Sequence, residues 1–349
     1  MLSFRQPSFA RELRWAAAVV LAAAAFGAVA DDAGDPQVLA GGTIDRAVEE
    51  RLLALVPERI SERDVQEVLA RAPAPRIINL EGSVPVVNMA PFAEFLIAMG
   101  YPEERIRDPN SGALSYNSFV DARRLAGTMA WYYEREGMMP MLIGHSQGGM
   151  VAIRVLYELA GEFGDSIPVW NPLSGAAEAR TTIVDPRTGA QRPVVGLEVP
   201  YVAALATGKL PRILLGQWTM LPRLRNIPDT AEEFTGFSFE WDPIAGNFGS
   251  AEPYRAMGSA RVRNVILPPK ASHLTLPLAK ELALDPAARD WINRYVPDPA
   301  TSYPPSGALA DLPNLLHAAD IWYSVKKHWC LEAQRLIRSA RKGAAAPLQ

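Results

Sequence analysis

"MLIGHSQGG" spans Met141 to Gly149 and runs directly into "MVAIRVLYEL". A short apolar run, a cluster of glycines around one serine, and a second apolar run with helical spacing predict a strand, a very tight turn and a helix. The pattern Gly144-His145-Ser146-Gln147-Gly148 matches G-x-S-x-G, whose serine occupies a strained strand-to-helix turn. Side chains at Gly144 and Gly148 would collide with the adjacent strand and helix, so the glycines are what let the turn close. The Ser146 hydroxyl then stands clear of the sheet. The amide of Gln147 opens the helix, where a developing oxyanion is stabilised. A phosphate-binding loop would need G-x-G-x-x-G or G-K-[ST], and this stretch has neither.

A serine hydroxyl is a weak nucleophile until a base, held by a third group, takes its proton. The chain contains four histidines: His145, His273, His317 and His328. His145 lies inside the motif, so its side chain must diverge from that of Ser146. His317 and His328 fall in helical sequence, where packed or solvated roles are the default. His273, in "ILPPKASHLTLP", follows an apolar strand and precedes a helix, which brings a base to the sheet edge of Ser146. The acid is expected after the preceding strand. "FSFEWDPIAGN" puts Asp242 there, whereas Asp229 precedes that strand and Glu240 lies within it.

Ser146, Asp242 and His273 occur in the order of the α/β-hydrolase triad. From about Arg76 to Val296, apart from 171–230, the chain resembles an α/β-hydrolase-fold serine hydrolase of the lipase/esterase type. "GHSQGG" is the most specific element of that resemblance. The resemblance implies an α/β fold with an eight-stranded, mostly parallel sheet flanked by helices, and no cofactor or metal. It also implies a second oxyanion donor after an earlier strand. In "NLEGSVPV", Glu81 stands where a histidine is usual, and the Ser83 amide after Gly82 is the matching donor.

The rest of the chain fits around this core. "RIINL" reads as a buried strand, "APFAEFLIAMGYP" as a helix, and "NSFVDARRLAGTMAWYYEREG" as a helix with Phe119, Ala122, Ala126, Met129 and Tyr133 on one face. Ser61 and Asp64 form a capping box for a helix in "ISERDVQEVLARA". Arg5, Arg11 and Arg14, an apolar run and Ala28-Val29-Ala30 predict a cleavable export signal over 1–30, hence a periplasmic or extracellular protein. The expected organisation continues with a helical leader over 31–72 and core over 73–170. An inserted apolar, Pro- and Gly-rich cap over 171–230 follows, then core again over 231–297 and a helical C-terminal extension over 298–349. The cap carries Tyr201, Val202, Leu205, Leu210, Leu214 and Trp218.

A formal charge of −3 gives no basic surface for nucleic acid, and the mature chain is expected to lack a stable membrane span. Cys330 is the single cysteine, so neither an intramolecular disulfide nor a cysteine metal cluster can form. These readings converge on ester hydrolysis through an acyl-enzyme, with a small or lipid-like ester as the partner. An acyltransferase, thioesterase or amidase would use the same triad, and a catalytically silent fold serving as a binding module is the alternative from another class.

Overall fold

The structure, a computed structural model, describes residues 44–83, 87–297 and 307–345. The export signal expected over 1–30 lies outside them. Five strands form one parallel sheet: β1 (Ile77–Leu80), β2 (Met141–His145), β3 (Val199–Leu205), β4 (Ala231–Ser238) and β5 (Arg261–Ile266). They lie side by side in chain order, so each connection returns to a neighbouring position. Alternation along the strands divides the core in two. Tyr201, Ala203 and Leu205 of β3 face one layer, and Val202 and Ala204 face the other.

The helices among the described residues are α1 (Arg46–Ala54), α2 (Glu62–Glu67), α3 (Ala90–Ala98), α4 (Ala122–Glu136), α5 (Gln147–Leu159), α6 (Leu210–Leu214), α7 (Lys280–Leu284), α8 (Pro286–Arg294) and α9 (Leu315–Ala345). α4 and α5 cover one face of the sheet, and α3 and α7–α9 supply core residues to the other. The Ser61–Asp64 capping box starts α2 as expected. α4 is capped by Asp121, whose carboxylate accepts hydrogen bonds from the Arg123 and Arg124 amides. Phe119 therefore falls before the helix and is exposed instead of joining its apolar face.

Three expectations need correction. The resemblance implies eight strands, and the described residues form five in the main sheet. The stretch 171–230 is not a separate cap throughout, because Val199–Leu205 inside it is the central strand, buried along its whole length. A continuously apolar strand is what burial between two helical layers requires, and it carries no alternation to mark it. The third concerns the two ends. α9 is core, not an appendage: Trp322, Trp329 and Cys330 are fully buried. The described part of the leader packs on it, with Gln334 Nε2 donating to the Leu52 carbonyl (2.9 Å) and Lys326 Nζ to that of Ile60 (2.9 Å).

Because all five strands run the same way, the segments after them emerge at one edge. Glu81–Ser83, Ser146, Asp242 and His273 all lie in those segments. In open α/β sheets that carboxyl edge is where ligands bind.

Candidate active site

β2 ends at His145, and Ser146 turns the chain into α5 with φ 52° and ψ −107°. That backbone is strained for a residue with a Cβ and persists only where its surroundings over-determine it. Here the surroundings are on β3 and its exit. The Ser146 amide donates to the Leu205 carbonyl (2.8 Å), and Thr207 Oγ1 donates to the Ser146 carbonyl (3.1 Å). A Cβ on Gly144 would lie 2.4 Å from the Gly148 backbone, and one on Gly148 would lie 2.2 Å from the Leu80 carbonyl oxygen. Gly149 is held to the same condition, since its Cβ would lie 2.0 Å from Thr207 Oγ1. The first two collisions are with backbone, which cannot swing aside. This is the close approach that the glycine spacing predicts.

Asp242 and His273 meet at the same edge. His273 Nδ1 lies 2.8 Å from Asp242 Oδ2, with both side chains buried. The other carboxylate oxygen, Oδ1, accepts from the Ala245 amide (3.1 Å), which fixes the plane of the acid. An ionised carboxylate beside Nδ1 selects the tautomer with its proton on Nδ1, leaving Nε2 as the free base. Ser146 is 5% exposed and His273 7%, so both are nearly shielded from bulk water. No hydrogen bond joins Ser146 to His273 among the described residues; such bonds often tighten only once substrate is bound.

His145 ties the two segments together, a role that the sequence did not reveal. Its Nε2 lies 2.8 Å from the His273 carbonyl oxygen, and the two rings stand edge to face with centroids 5.0 Å apart. Burial, reinforced by the neighbouring His273, pushes the His145 imidazole down to about 3, so it is neutral. A carbonyl only accepts, so the proton of His145 sits on Nε2. The residue before the serine thus holds the main chain of the residue expected to act as base. Its adjacency to Ser146 was the available signal.

Gln147 is the first residue of α5, where a backbone amide has no intrahelical acceptor. The loop after β1 docks on the same helix start, since the Gly148 amide donates to the Glu81 carbonyl (3.0 Å). The Glu81 carboxylate, in place of the usual histidine, accepts from the Ser115 hydroxyl (3.1 Å). Ser83 follows Gly82 at the end of that described loop, and no hydrogen bond links it to the elbow among the described residues.

No family model, curated protein or solved structure matches the chain. The site therefore rests on its own geometry. Among the described residues no group of His, Cys, Asp or Glu side chains is arranged to hold a metal ion, and no helix is long and apolar enough to cross a membrane.

Proposed function

We propose that the protein is an exported serine hydrolase that cleaves carboxylic esters. The observation that carries this reading is the buried Asp242–His273 pair at the sheet edge where Ser146 holds its strained turn. Ser146 Oγ attacks the acyl carbon and His273 Nε2 takes its proton. The new oxyanion is met by the amides of Gln147 and Ser83. His273 then returns the proton to the leaving alcohol, and water hydrolyses the acyl-enzyme by the same steps in reverse roles. Asp242 holds the Nδ1 proton throughout and stabilises the imidazolium.

Apolar side chains around this edge support an apolar acyl group. Ile213, Leu214, Leu215 and Trp218 after β3, and Trp241 and Phe248 after β4, are exposed. Exposed apolar groups gathered near one edge are unusual on a soluble protein unless a ligand or partner uses them.

The test is a fluorophosphonate label together with a series of p-nitrophenyl esters of increasing chain length. The label is expected on Ser146, and Ser146→Ala should lose both the label and at least about 10⁴-fold in kcat. Full activity in purified Ser146→Ala would sink the mechanism. An unlabelled, inactive wild type would favour the silent binding module. Added alcohols and thioester and amide substrates then place the enzyme among hydrolysis, acyl transfer, thioesterase and amidase activity.

A further inference from the structure

Arg212, on α6, is fully buried, yet no carboxylate pairs with it among the described residues. Its Nη1 donates to the side-chain oxygens of both Gln147 and Gln217, while Nε and Nη2 have no hydrogen-bond partner. The ionisable side chain whose charge bears on it is Tyr254, a buried phenol that stays neutral because burial raises it. Burial accordingly holds the guanidinium down to about 10, still charged at neutral pH. An uncompensated cation inside a protein is costly, and an anion bound beside it would offset that cost.

The two glutamines show where that anion would sit. A guanidinium only donates, so both must turn Oε1 toward Arg212, and both Nε2 groups are turned away from it. Gln147 and Gln217 also line a cleft of about 250 Å³ with Ser118, Met150 and Arg154. Arg154, whose Nε has no hydrogen-bond partner, and Asp121 also line the cleft. Arg154 faces Glu158 at 3.5 Å, and Asp121 is exposed with its carboxylate held by the Arg123 and Arg124 amides. Gln147 is also the residue after Ser146 in sequence, although Ser146 itself does not line the cleft.

We propose that this cleft is a subsite for a carboxylate carried by the ester, held by the Gln147 and Gln217 carboxamides with the charge of Arg212 behind them. The substrate class is then a monoester of a dicarboxylic acid or a similar ester with one free carboxylate. The proposal rests on the hydrolase reading for its substrate, but its binding site can be tested apart from turnover. Arg212 acts through the glutamines and is a positioning residue.

The experiment titrates glutarate, its neutral diamide and inorganic phosphate into Ser146→Ala by calorimetry. Wild-type kcat/KM is measured in parallel for a p-nitrophenyl hemiester of glutaric acid and for its methyl-capped, neutral counterpart. Glutarate is expected to bind and the diamide not. Arg212→Met should lower the ratio of charged to neutral ester turnover by about 10- to 100-fold, the range for a hydrogen bond to a charged group, and Arg212→Lys should recover part of it. Gln217→Glu covers the case in which Arg212→Met does not fold. It supplies the missing anion internally, so it should raise the melting temperature and abolish glutarate binding. Equal binding of glutarate and diamide, binding of phosphate alone, or glutarate binding that survives Gln217→Glu would each overturn the subsite. Glutarate binding without a fluorophosphonate label on Ser146 would instead keep the subsite and remove the hydrolase.

Discussion

Two carboxylate–histidine pairs lie on and just past the same strand, and their surroundings differ sharply. Past the carboxyl end of β4, Asp242 holds His273 at 2.8 Å, with a single backbone amide on its other oxygen. Near the amino end of β4, Glu233 lies 3.3 Å from His328, but it also takes Lys327 Nζ (2.6 Å), Ser324 Oγ (3.0 Å) and Arg263 Nη2 (3.4 Å). Burial works to raise the Glu233 carboxyl. The hydrogen bond from His328 and the charges of His328, Arg263 and Lys327 outweigh it and hold the group well below the usual carboxylate range. His328 is sealed against Tyr201, with ring centroids 5.7 Å apart. A carboxylate beside an imidazole does not by itself make a base: the second pair is buried, and its carboxylate is shared among Lys327, Arg263 and His328. Its position fits a stabilising role, because function in such sheets gathers at the carboxyl edge.

The largest expected contrast comes from removing each acid's charge. Asp242→Asn should leave the fold intact and cost about 10⁴-fold in kcat through the wrong imidazole tautomer. Glu233→Gln should do the reverse, costing about 3–5 kcal/mol in urea unfolding because it strands buried cations, while the folded fraction still labels at Ser146. Loss of activity in a stable Glu233→Gln protein, or a near-wild-type Asp242→Asn enzyme, would break the comparison.

Acid should expose a smaller effect that each region contributes separately. His145 at the site and His317 in the core are both buried and held neutral, down to about 3 and about 4 respectively. For His317, burial is the dominant cause, partly opposed by its hydrogen bond to the Leu276 carbonyl. Both folded values lie below the unfolded value near 6.5, so their contribution is complete above about pH 6.5 and is lost as pH falls toward 4. For His317 that is on the order of a few kcal/mol. Urea midpoints between pH 7 and 4.5 should fall, and His317→Gln should flatten the decline. Burial raises Asp320 to about 6, which works in the opposite sense over this range, so the decisive comparison is between slopes: equal pH dependence in His317→Gln and wild type would show that His317 is not held neutral.

The smallest effect concerns the apolar rim. Leu214 is 75% exposed and Trp218 59%, so alanine at either should move the melting temperature little. Each should nonetheless shift the ester chain-length preference, with about 1–3 kcal/mol at stake per lost apolar contact. A lowered melting temperature with an unchanged chain-length profile would make the rim structural, and the apolar acyl group would lose its support.

What could be read in advance follows from how local the cause is. The glycines of the elbow answer to contacts within a few residues and the strand beside them, so their spacing announced the turn. The positions of Asp242 and His273 followed from strand order alone. β3 was hidden because a strand buried on both faces has no period, and it lies in a Pro- and Gly-rich stretch. The depth of α9 was hidden for another reason. Lys326, Lys327 and His328 look like a solvent face until Glu233, far away in the chain, and the Ile60 carbonyl are brought against them. Arg212 is hidden for the same reason: an arginine in a short apolar segment reads as surface until the chain folds over it.

The place of α9 also bears on the order in which the protein can become itself. Synthesis delivers the sheet, the elbow, Asp242 and His273 before Leu315–Ala345 exists. Until then Tyr201 and Glu233 lack their α9 partners, and that side of the sheet has the core residues of α3, α7 and α8 without those of α9. Its folding is consequently dominated by contacts between distant parts of the chain, the class that forms slowly and late. A nascent chain of this kind can complete that layer of its core only when α9 arrives.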